Sequence, residues 1–327
     1  MGSPKVSICI PAYRQETYLR KLLASIAQQT WTDREVIVTD DSPDDRVEML
    51  VRSYQEKLPE LKYTRNNPAL GTPRNWNRAV ELATGTWIKV MHHDDWFTRP
   101  DSLERFMRTA IDGDLDFVCS AALAVNERLG TSKPHQPSQG EITELFNRPH
   151  LLLIGNRIGP PSSMLFRRGL AIPFREDHKF LVDAEFYAAV LQRTRKATYI
   201  DETLIGSTSG AAHNVTNTCF TREVELKENL EAYVGWRSAF TDASDAKRLV
   251  DHFTTLLARY DVTDASELTA LVPDLRMDEV LEKALSKAQR TRLFRSVKNR
   301  IARSSIYQAL RGPKPDAGKL SHAQCGE

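Results

Sequence analysis

The chain has 327 residues, which is long enough for one large domain or two packed lobes, and its 41% hydrophobic and 27% charged residues are ordinary for a globular protein. The four cysteines lie far apart and show no CxxC or zinc-ligand spacing, so the sequence predicts neither a disulfide framework nor a structural zinc site and favours a reducing, cytoplasmic setting. The N-terminus shows no secretory signal pattern, and no window approaches the apolar length of a membrane span.

The first third of the chain alternates short β-branched runs with amphipathic helical patterns. Strands are predicted, in this order, at "KVSICIPAY", "EVIVTDD", "LKYTRNN" and "WIKVM". Helices are predicted between them, at "ETYLRKLLASIAQQT", "RVEMLVRSYQEKL" and "GTPRNWNRAVELATG". This alternation is typical of an α/β protein with a mostly parallel central sheet and helices on both of its faces.

The rest of the chain is less regular. Strands are predicted at "LDFVCSAALAV", after the turn "IGPPSS", and at "KATYIDETLIG", with a helix at "FLVDAEFYAAVLQR" between the last two. The polar stretches "NERLGTSKPHQPSQGEI" and "STSGAAHNVTN" are predicted to be loops. From about Thr221 the pattern is helical to the end, which predicts a helical extension over residues 221–327.

The charge is unevenly distributed along the chain, although the formal net charge is only +2. Residues 290–314 hold eight Lys or Arg and no Asp or Glu, which leaves the remainder acidic. Apolar residues near one helical face make this segment a basic amphipathic helix, suited to an anionic membrane surface. Packing of the apolar face on the acidic body is the alternative. Nucleic-acid binding is disfavoured because the basic run is short and has few aromatic residues.

Polar residues follow three of the predicted strands. The first strand ends at Pro11 to Tyr13, the second at Asp40 and Asp41, and the fourth at His92 to Asp95. Ligands of open α/β sheets bind beyond the carboxyl ends of the strands, so we expect these clusters to share one edge of the sheet.

The pair Asp94 and Asp95 predicts a site for a hard divalent cation. Two adjacent carboxylates raise each other's pKa, and Mg²⁺ or Mn²⁺ removes that conflict while it also binds phosphate oxygens and water. A solvated loop with incidental acids is the alternative. Because successive strand residues point to opposite faces, at most one of His92 and His93 is expected to face the site. Histidines at strand ends also serve as polar caps, which weighs against either as a direct ligand.

Two further clusters suit a nucleotide. If the first two strands are neighbours, Tyr13 can stack on a base and Asp41 can accept the imino N–H of uracil or thymine. In "GTPRNWNRA", Gly71 permits close backbone approach, and Arg74 lies in the first turn of a helix whose N–H groups attract anions such as a diphosphate. The ordinary alternatives are a ring packed on the sheet edge, a simple turn, and a solvated arginine on a capped surface helix.

Three segments together resemble a known family. They are "SICIPAYRQETYLRKLLASIAQQTW", "EVIVTDDSPDD" and "NPALGTPRNWNRAVELATGTWIKVMHHDDWFTRPDSL". In order and spacing they resemble the nucleotide-diphospho-sugar domain of family 2 glycosyltransferases, which are inverting enzymes with the GT-A fold. The resemblance covers roughly the first 110 residues and extends more loosely to about Thr216. It implies a GT-A domain over residues 1–220, with a nucleotide-sugar-binding half (1–110) and an acceptor-side half (111–220).

The resemblance implies a donor site at the ends of the first two strands. Tyr13 would stack on the nucleobase and Asp41 would bind its imino group. Arg74 would approach the diphosphate, and Pro11 would belong to the same binding site.

The resemblance also implies a metal motif in "HHDDWFTRPD". Asp95 would be the direct metal ligand, and Asp94 would contact the ribose or sugar or support the metal. The commoner form of this motif begins with Asp where this chain has His92, so one expected carboxylate is missing. His213 lies where related enzymes have a loop near the diphosphate or metal, which makes it a further candidate metal ligand.

An inverting transfer needs a base that takes the proton of the acceptor hydroxyl. The segment "FREDHKFLVDAEFYAAVLQR" resembles the family's base-bearing helix, and Asp183 is predicted as the base, with Glu185 and Asp177 as alternatives. From residue type alone, a helix N-cap is the favoured interpretation of Asp183, and the resemblance to the family shifts the prediction to the base. "GPPSSMLFRR" resembles the segment that lines the acceptor side before this helix.

The predicted function is the transfer of a sugar, with inversion, from a UDP- or dTDP-linked donor to a hydroxyl, dependent on Mn²⁺ or Mg²⁺. The pathway would be cell-surface polysaccharide, O-antigen or glycolipid synthesis, and the acceptor a sugar or lipid-linked saccharide. The enzyme would be cytoplasmic or peripheral at the inner face of the membrane. A sugar-phosphate nucleotidyltransferase and an inactive nucleotide-sugar-binding module are the alternatives, although "PAYRQETY" lacks the Gly-rich basic signature of the former. No GxGxxG follows the first strand, which disfavours a nicotinamide dehydrogenase.

Overall fold

The computed structural model describes residues 6–170, 172–211 and 219–303, with side chains described up to Arg292. The strands in these ranges are β1 (Val6–Ala12), β2 (Arg34–Asp40), β3 (Leu61–Arg65), β4 (Trp87–Val90), β5 (Asp95–Phe97), β6 (Phe117–Asn126), β7 (Thr131–His135), β8 (Met164–Arg167) and β9 (Ala197–Ser209). The helices are α1 (Glu16–Ala27), α2 (Arg46–Arg52), α3 (Arg74–Glu81), α4 (Ser102–Asp112), α5 (Gln139–Asn147), α6 (Val182–Arg193), α7 (Arg222–Trp236), α8 (Ala243–Arg259), α9 (Ala265–Leu271) and α10 (Glu279–Arg303). A short 3-10 turn, Pro161–Ser163, precedes β8.

The described strands form one sheet in the order β3-β2-β1-β4-β8-β6-β9-β5, with β7 beside β6. β1 pairs parallel with both β2 and β4, and β2 pairs parallel with β3. β8 is antiparallel to β4 and to β6, whereas β9 is parallel to β6. Four of the nine described strands thus form the parallel run expected from the sequence, and the carboxyl ends of β1, β2 and β4 share one edge.

The central strands β1 and β2 are buried on both sides because helices cover both faces of the sheet. In β1, Ile8 and Ile10 belong to one hydrophobic cluster and Cys9 to the other, as the alternation along a strand requires. The first cluster includes the apolar faces of α1, α2 and α4, and the second includes those of α3, α5 and α6. The apolar stripe of α1 that the helical periodicity predicts is fully buried.

Two predicted loops contain regular structure, and the loop predictions are wrong there. "NERLGTSKPHQPSQGEI" holds β7 and the start of α5. β7 pairs antiparallel with the end of β6, where Pro134 is tolerated on an edge strand. α5 begins at a capping box, in which Ser138 Oγ accepts the N–H of Glu141. The last strand also runs through the first residues of "STSGAAHNVTN", because β6 and β5 pair with it up to Ser209 and Ser207 respectively.

β5 is a three-residue strand that the sequence did not predict, since it is too short to show a period-2 pattern. It pairs antiparallel with β9, with Trp96 opposite Gly206. The indole lies so close to the backbone of Gly206 that a Cβ there would be 2.2 Å from a ring carbon. The Lys21 ammonium lies 2.9 Å from the centroid of the same ring. Gly206 and Lys21 therefore fix Trp96, the residue that follows Asp95.

Gly206→Ala is expected to destabilise the fold by about 1–3 kcal/mol, because the new methyl group overpacks the indole and displaces β5. Urea unfolding of the variant and the parent measures this difference. Gly235→Ala is the matched control: nothing lies within 4 Å of a Cβ at that helical position, so the change is expected to be neutral or stabilising by up to about 1 kcal/mol. Equal unfolding midpoints for Gly206→Ala and the parent would contradict the close packing.

The chain divides into two compact units, one of Met1–Arg248 with Leu268–Leu275 and one of Leu249–Glu267 with Arg276–Glu327. α7 lies within the first unit, and α10 lies within the second. Residues 304–327 and the side chains of 293–303 lie outside the described part, so the roles of the basic segment 290–314 stay predictions, as does the domain boundary after residue 220. Among the described helices, none is both long and apolar enough to cross a membrane.

Candidate active site

The turn from β4 into β5 carries the polar residues of "HHDD". The Met91 N–H donates to Cys9 O at 2.9 Å, which keeps the chain on β1 until the turn begins. The Asp95 N–H then donates to His92 O at 3.0 Å and closes the turn. The His92 N–H donates to Ser162 Oγ at 3.0 Å, so the turn is also held from the Pro161–Ser163 segment. The two acids are thereby fixed at the edge where β1 and β4 end.

Asp95 is buried beside the neighbouring acid Asp94. Its side chain is a hydrogen-bond acceptor for the hydroxyls of Ser162 and Ser207. Burial, and then the charge of Asp94, raises the pKa of Asp95 from 3.8 to about 8. A cation at this point would stabilise both carboxylates in their ionised form.

Three side chains of the turn fit a divalent cation. His92, Asp94 and Asp95 each offer one ligand atom, and these atoms lie within 4.8 Å of one another. His92 Nε2 is buried and has no hydrogen-bond partner among the described residues, which leaves its lone pair available. Burial lowers the pKa of His92 to about 4, so the ring is neutral and able to bind a metal. The ring is oriented by Trp76, whose centroid lies 4.4 Å away.

Lys89 and Ser162 belong to this site. Lys89 was not predicted from the sequence, and Ser162 lies in "GPPSSMLFRR", which was predicted to line the acceptor side without any single residue being named. Lys89 is fully buried in β4, and its ammonium donates to the carbonyls of Ser162 and Met164. The same ammonium lies 3.8 Å from the ring centroid of Phe106, and its charge lowers the pKa of Asp95. A lysine within the apolar run "WIKVM" is the sequence signal that could have drawn attention to it.

Asp41 follows β2 and organises the loop that precedes α3. One of its oxygens accepts from Asn66 Nδ2 at 2.8 Å and from the Leu70 N–H at 2.9 Å, and the other accepts from the Gly71 N–H at 2.8 Å. Gly71 has φ +75°, a left-handed conformation that favours glycine. Of about four acceptor positions on a carboxylate, three are used, so one remains for a ligand.

Tyr13 and Pro11 lie at the end of β1, beside Asp41. The Asp41 N–H donates to Ala12 O at 3.0 Å, which joins the two strand ends. Pro11 is buried within the sheet, whereas Tyr13 is 48% exposed at its edge. The guanidinium of Arg14 lies 5.0 Å from the Tyr13 ring centroid. Tyr13 therefore presents a partly exposed ring, whereas the side chain of Pro11 is buried.

Arg74 is the first residue of α3, directly after the loop that Asp41 holds. Its side chain is 61% exposed and its Nε lies 3.1 Å from Glu176 Oε2. An exposed ion pair of this kind contributes little to stability, so the guanidinium can exchange Glu176 for a stronger anion. Asn77, one turn further on, donates to Glu176 and to the carbonyl of Phe174 and holds that segment against α3.

Asp183 lies in the first turn of α6. Its carboxylate accepts from Asn156 Nδ2 at 2.9 Å and from the Ala184 N–H at 2.8 Å. Burial raises the pKa of Asp183 to about 6, more than these hydrogen bonds lower it. The N-cap residue of α6 is Leu181, so Asp183 bonds a first-turn N–H without being the N-cap.

The two alternative bases are engaged in ion pairs. Glu185 is buried and lies 2.7 Å from His178 Nδ1 and 3.2 Å from Arg175. Asp177 is exposed and pairs with Arg175 at 2.8 Å. Asp183 is therefore the acid of this helix whose carboxylate is held by neutral donors.

Tyr187 lies one turn after Asp183 in α6 and contacts the segment that precedes Ser162. Its ring is fully buried and its hydroxyl donates to Gly159 O at 3.1 Å, in the segment that leads to Ser162. Burial, and then the charges of Asp183, Cys119 and Asp95, raises the pKa of Tyr187 well above its usual value. Asn156 Nδ2 donates both to Asp183 and to the same Gly159 carbonyl, and Ser162 donates to Asp95, so this segment contacts both acids. His213 lies outside the described residues, and its role as a ligand stays a prediction.

The sequence profile described as glycosyl transferase family 2 matches residues 7–173, just over half of the chain. The chain belongs to this family. The match begins in β1 and includes the turn between β4 and β5, but it ends before α6. The resemblance noted in the sequence is therefore confirmed, and the assignment of α6 to the catalytic site needs separate support.

A putative glycosyltransferase of Bacillus subtilis, EpsH, is 26% identical over 262 residues, which cover 72% of this chain and 75% of the relative. Across this and two further relatives, the chain spans 64% to 75% of the relative's length. In structure, the chain is similar to Staphylococcus aureus TarS 1-349 in complex with UDP-GlcNAc, with a TM-score of 0.59, 18% identity, and coverage of 88% of this chain and 92% of the TarS 1-349 chain.

A second solved structure extends the likeness in fold. It is the mannosyltransferase PcManGT of Pyrobaculum calidifontis in complex with GDP-Man and Mn²⁺, with a TM-score of 0.54 and 15% identity over 95% of this chain and 84% of that one. At these identities the likeness concerns the fold. The family and the fold together confirm the predicted α/β architecture of the GT-A type and the activity class, a glycosyltransferase.

Proposed function

We propose that this family 2 glycosyltransferase moves a sugar from a UDP- or dTDP-linked donor to a hydroxyl group, with inversion at the anomeric carbon. The observation that carries the proposal is that one segment, Asn156 to Ser162, holds two acids in different environments: Asn156 donates to Asp183 and Ser162 donates to Asp95. Asp95 stands with Asp94 and His92, as a metal-binding group requires, and Asp183 stands alone among neutral donors. One acid environment suits the leaving diphosphate, and the other suits proton transfer.

The donor nucleotide would bind along the edge formed by the ends of β1 and β2. The exposed ring of Tyr13 offers a stacking face, and the remaining acceptor position of Asp41 suits an imino N–H. Pro11 shapes the strand end, and Arg74 would exchange its exposed partner Glu176 for the diphosphate. The UDP-GlcNAc bound to TarS supports a nucleotide-sugar donor but leaves the sugar of this chain open.

His92, Asp94 and Asp95 would hold a divalent cation, Mn²⁺ or Mg²⁺, with His213 as a further candidate ligand. When bound, the cation supplies positive charge against the diphosphate leaving group. The Mn²⁺ in the mannosyltransferase structure supports this cofactor class. His92 takes the place of the carboxylate that is commoner in the family motif, so the ligand set of this chain would carry one negative charge fewer.

Asp183 would act as the general base. As the acceptor oxygen forms its bond to the anomeric carbon, the bond from that carbon to the diphosphate oxygen breaks and the hydroxyl proton passes to the Asp183 carboxylate. Attack opposite the leaving group inverts the configuration. Asn156 keeps the carboxylate oriented, and Tyr187 fixes the Gly159 carbonyl nearby.

The acceptor would be a sugar or a lipid-linked saccharide in cell-surface polysaccharide, O-antigen or glycolipid synthesis. The basic segment 290–314 supports a peripheral position at the cytoplasmic face of an anionic membrane, because each Lys or Arg near such a surface contributes about 1 kcal/mol.

A nucleotide panel tests the proposal. UDP, dTDP and GDP are each added with Mn²⁺, with Mg²⁺ or with EDTA, and the midpoint of thermal unfolding is measured, since a ligand that binds the folded state raises it. UDP or dTDP is expected to raise the midpoint with metal and to lose most of that effect with EDTA. Stabilisation by GDP alone, or the same shift in EDTA, would overturn the donor or the metal assignment respectively. Proton NMR of the first product formed then gives the configuration at its anomeric carbon, and inversion requires this to be opposite to that of the donor sugar.

A further inference from the structure

α7 meets the N-terminal end of the helix that carries Asp183. Glu228, which is 4% exposed, places its carboxylate against the three residues that precede α6. One oxygen accepts from the Lys179 N–H at 2.7 Å, and the other accepts from the N–H groups of Phe180 and Leu181 at 2.7 and 3.0 Å. Three consecutive backbone donors thus converge on one side chain from another helix.

This contact anchors the N-cap of α6 from another helix. The Leu181 side chain cannot accept an N–H, and the N–H groups that Glu228 accepts belong to Leu181, the N-cap residue, and to the two residues before it. A carboxylate at a helix N-terminus also interacts favourably with the helix dipole. Because Asp183 is only two residues beyond Leu181, the direction in which its carboxylate points depends on the turn that Glu228 holds.

A second link joins the same two helices. His178 is fully buried, with Nε2 bonded to Glu231 of α7 at 3.0 Å and Nδ1 2.7 Å from Glu185 of α6. The guanidinium of Arg175 lies 3.2 Å from Glu185 and 3.6 Å from Glu231, so its positive charge offsets the negative charges of these two acids. α7 therefore holds the start of α6 at two points, although it begins after the part of the chain that the family profile matches.

We propose that Glu228 is a positioning residue for the reaction: through the backbone of residues 179–181 it aims the carboxylate of Asp183 at the acceptor hydroxyl. This inference rests on the proposed role of Asp183 as the base. It makes α7 part of the catalytic unit, where the sequence pattern alone suggests a separate helical extension.

Glu228→Gln and Glu228→Ala test the proposal, with Glu223→Gln as the matched control, because Glu223 is an exposed acid on the same helix. Gln keeps the size and one acceptor oxygen, so this variant is expected to fold even if the Ala variant does not. UDP release is measured with Mn²⁺ and each of UDP-glucose, UDP-galactose and UDP-N-acetylglucosamine in turn, and the donor that is turned over gives kcat and KM. The titration of Asp183, followed by carboxyl carbon NMR, gives a readout that does not depend on activity.

For Glu228→Gln we expect kcat to fall about 10- to 100-fold with little change in KM, because a misaimed base costs rate without costing donor binding. The NMR titration midpoint of Asp183 is expected to move, the thermal shift by UDP and Mn²⁺ to stay as in the parent, and Glu223→Gln to behave as the parent. The proposal is overturned if the folded Glu228→Gln variant keeps the kcat of the parent and the titration midpoint of Asp183 does not move. If the titration midpoint of Asp183 moves while kcat stays at the parental value, Asp183 is not the base. Glu228 then positions the Asp183 carboxylate without any effect on the reaction.

Discussion

Asp183→Asn is expected to lower kcat by about 10²- to 10⁴-fold, the usual contribution of a positioned general base. Asparagine matches the size of the carboxylate and can keep an oxygen towards Asn156 Nδ2, so folding and donor binding should change little. It cannot take a proton. UDP release with Mn²⁺ measures kcat, and the thermal shift by UDP and Mn²⁺ reports whether donor binding is retained.

Asp177→Asn is the matched control for this prediction. Asp177 lies six residues earlier, is exposed, and pairs with Arg175, so its replacement should leave kcat within a few-fold of the parent. A large loss for Asp177→Asn together with near-normal turnover for Asp183→Asn would reverse the two assignments. Equal and small effects of both changes would exclude both acids as the base and leave Glu185 as the remaining candidate in α6.

The pH profile follows from the same carboxyl group. Burial raises the pKa of Asp183 from 3.8 to about 6, so kcat/KM is expected to rise with pH through about 6 as the base becomes ionised. The contribution of Asp183 to the free energy of unfolding should fall as the pH rises over the same range. The neutral form is favoured in the fold, so this group's contribution to the free energy of unfolding is present below about pH 4 and is lost as the pH rises through about 6. Urea unfolding of the parent and Asp183→Asn from pH 4 to 7 checks this, since the variant lacks that slope.

The donor edge of the site could be predicted because its signals are local. Strand patterns fix where β1, β2 and β4 end, and the parallel order of neighbouring strands brings those ends to one edge. The order of the motifs then indicates the family. The strand β5 was missed although it contains Asp95, because three residues show no periodicity and its partner lies more than a hundred residues away in β9.

The supporting residues of the site could not be predicted, because each acts across a long sequence separation. Ser162 reaches Asp95 from a 3-10 turn, and Asn156 reaches Asp183 from a segment without a strong pattern. Glu228 looks like one of several acids on an amphipathic helix until the three N–H groups that it accepts are known. Hydrogen bonds of this kind are made by the tertiary structure, and residue type or spacing carries little information about them.

The second large effect is expected at the metal-binding group. Asp95→Asn should remove most of the rise in thermal midpoint that Mn²⁺ gives with UDP and lower UDP release by about 100-fold or more, since a catalytic cation contributes several kcal/mol to the transition state. Without metal, the variant should be at least as stable as the parent. An amide can still accept from the hydroxyl of Ser162, and the repulsion between the carboxylate of Asp94 and the buried carboxylate of Asp95 is removed.

This pair of outcomes separates a metal ligand from a structural residue. If Asp95 only supported the turn, its replacement would lower the midpoint in the absence of metal and leave the increment from Mn²⁺ intact. Asp112→Asn, at an exposed position at the end of α4, is the control and should keep both the midpoint and the increment of the parent. Because Asp94 and His92 lie within 4.8 Å of Asp95, residual binding at millimolar Mn²⁺ is expected, and a complete titration distinguishes weakened binding from its absence.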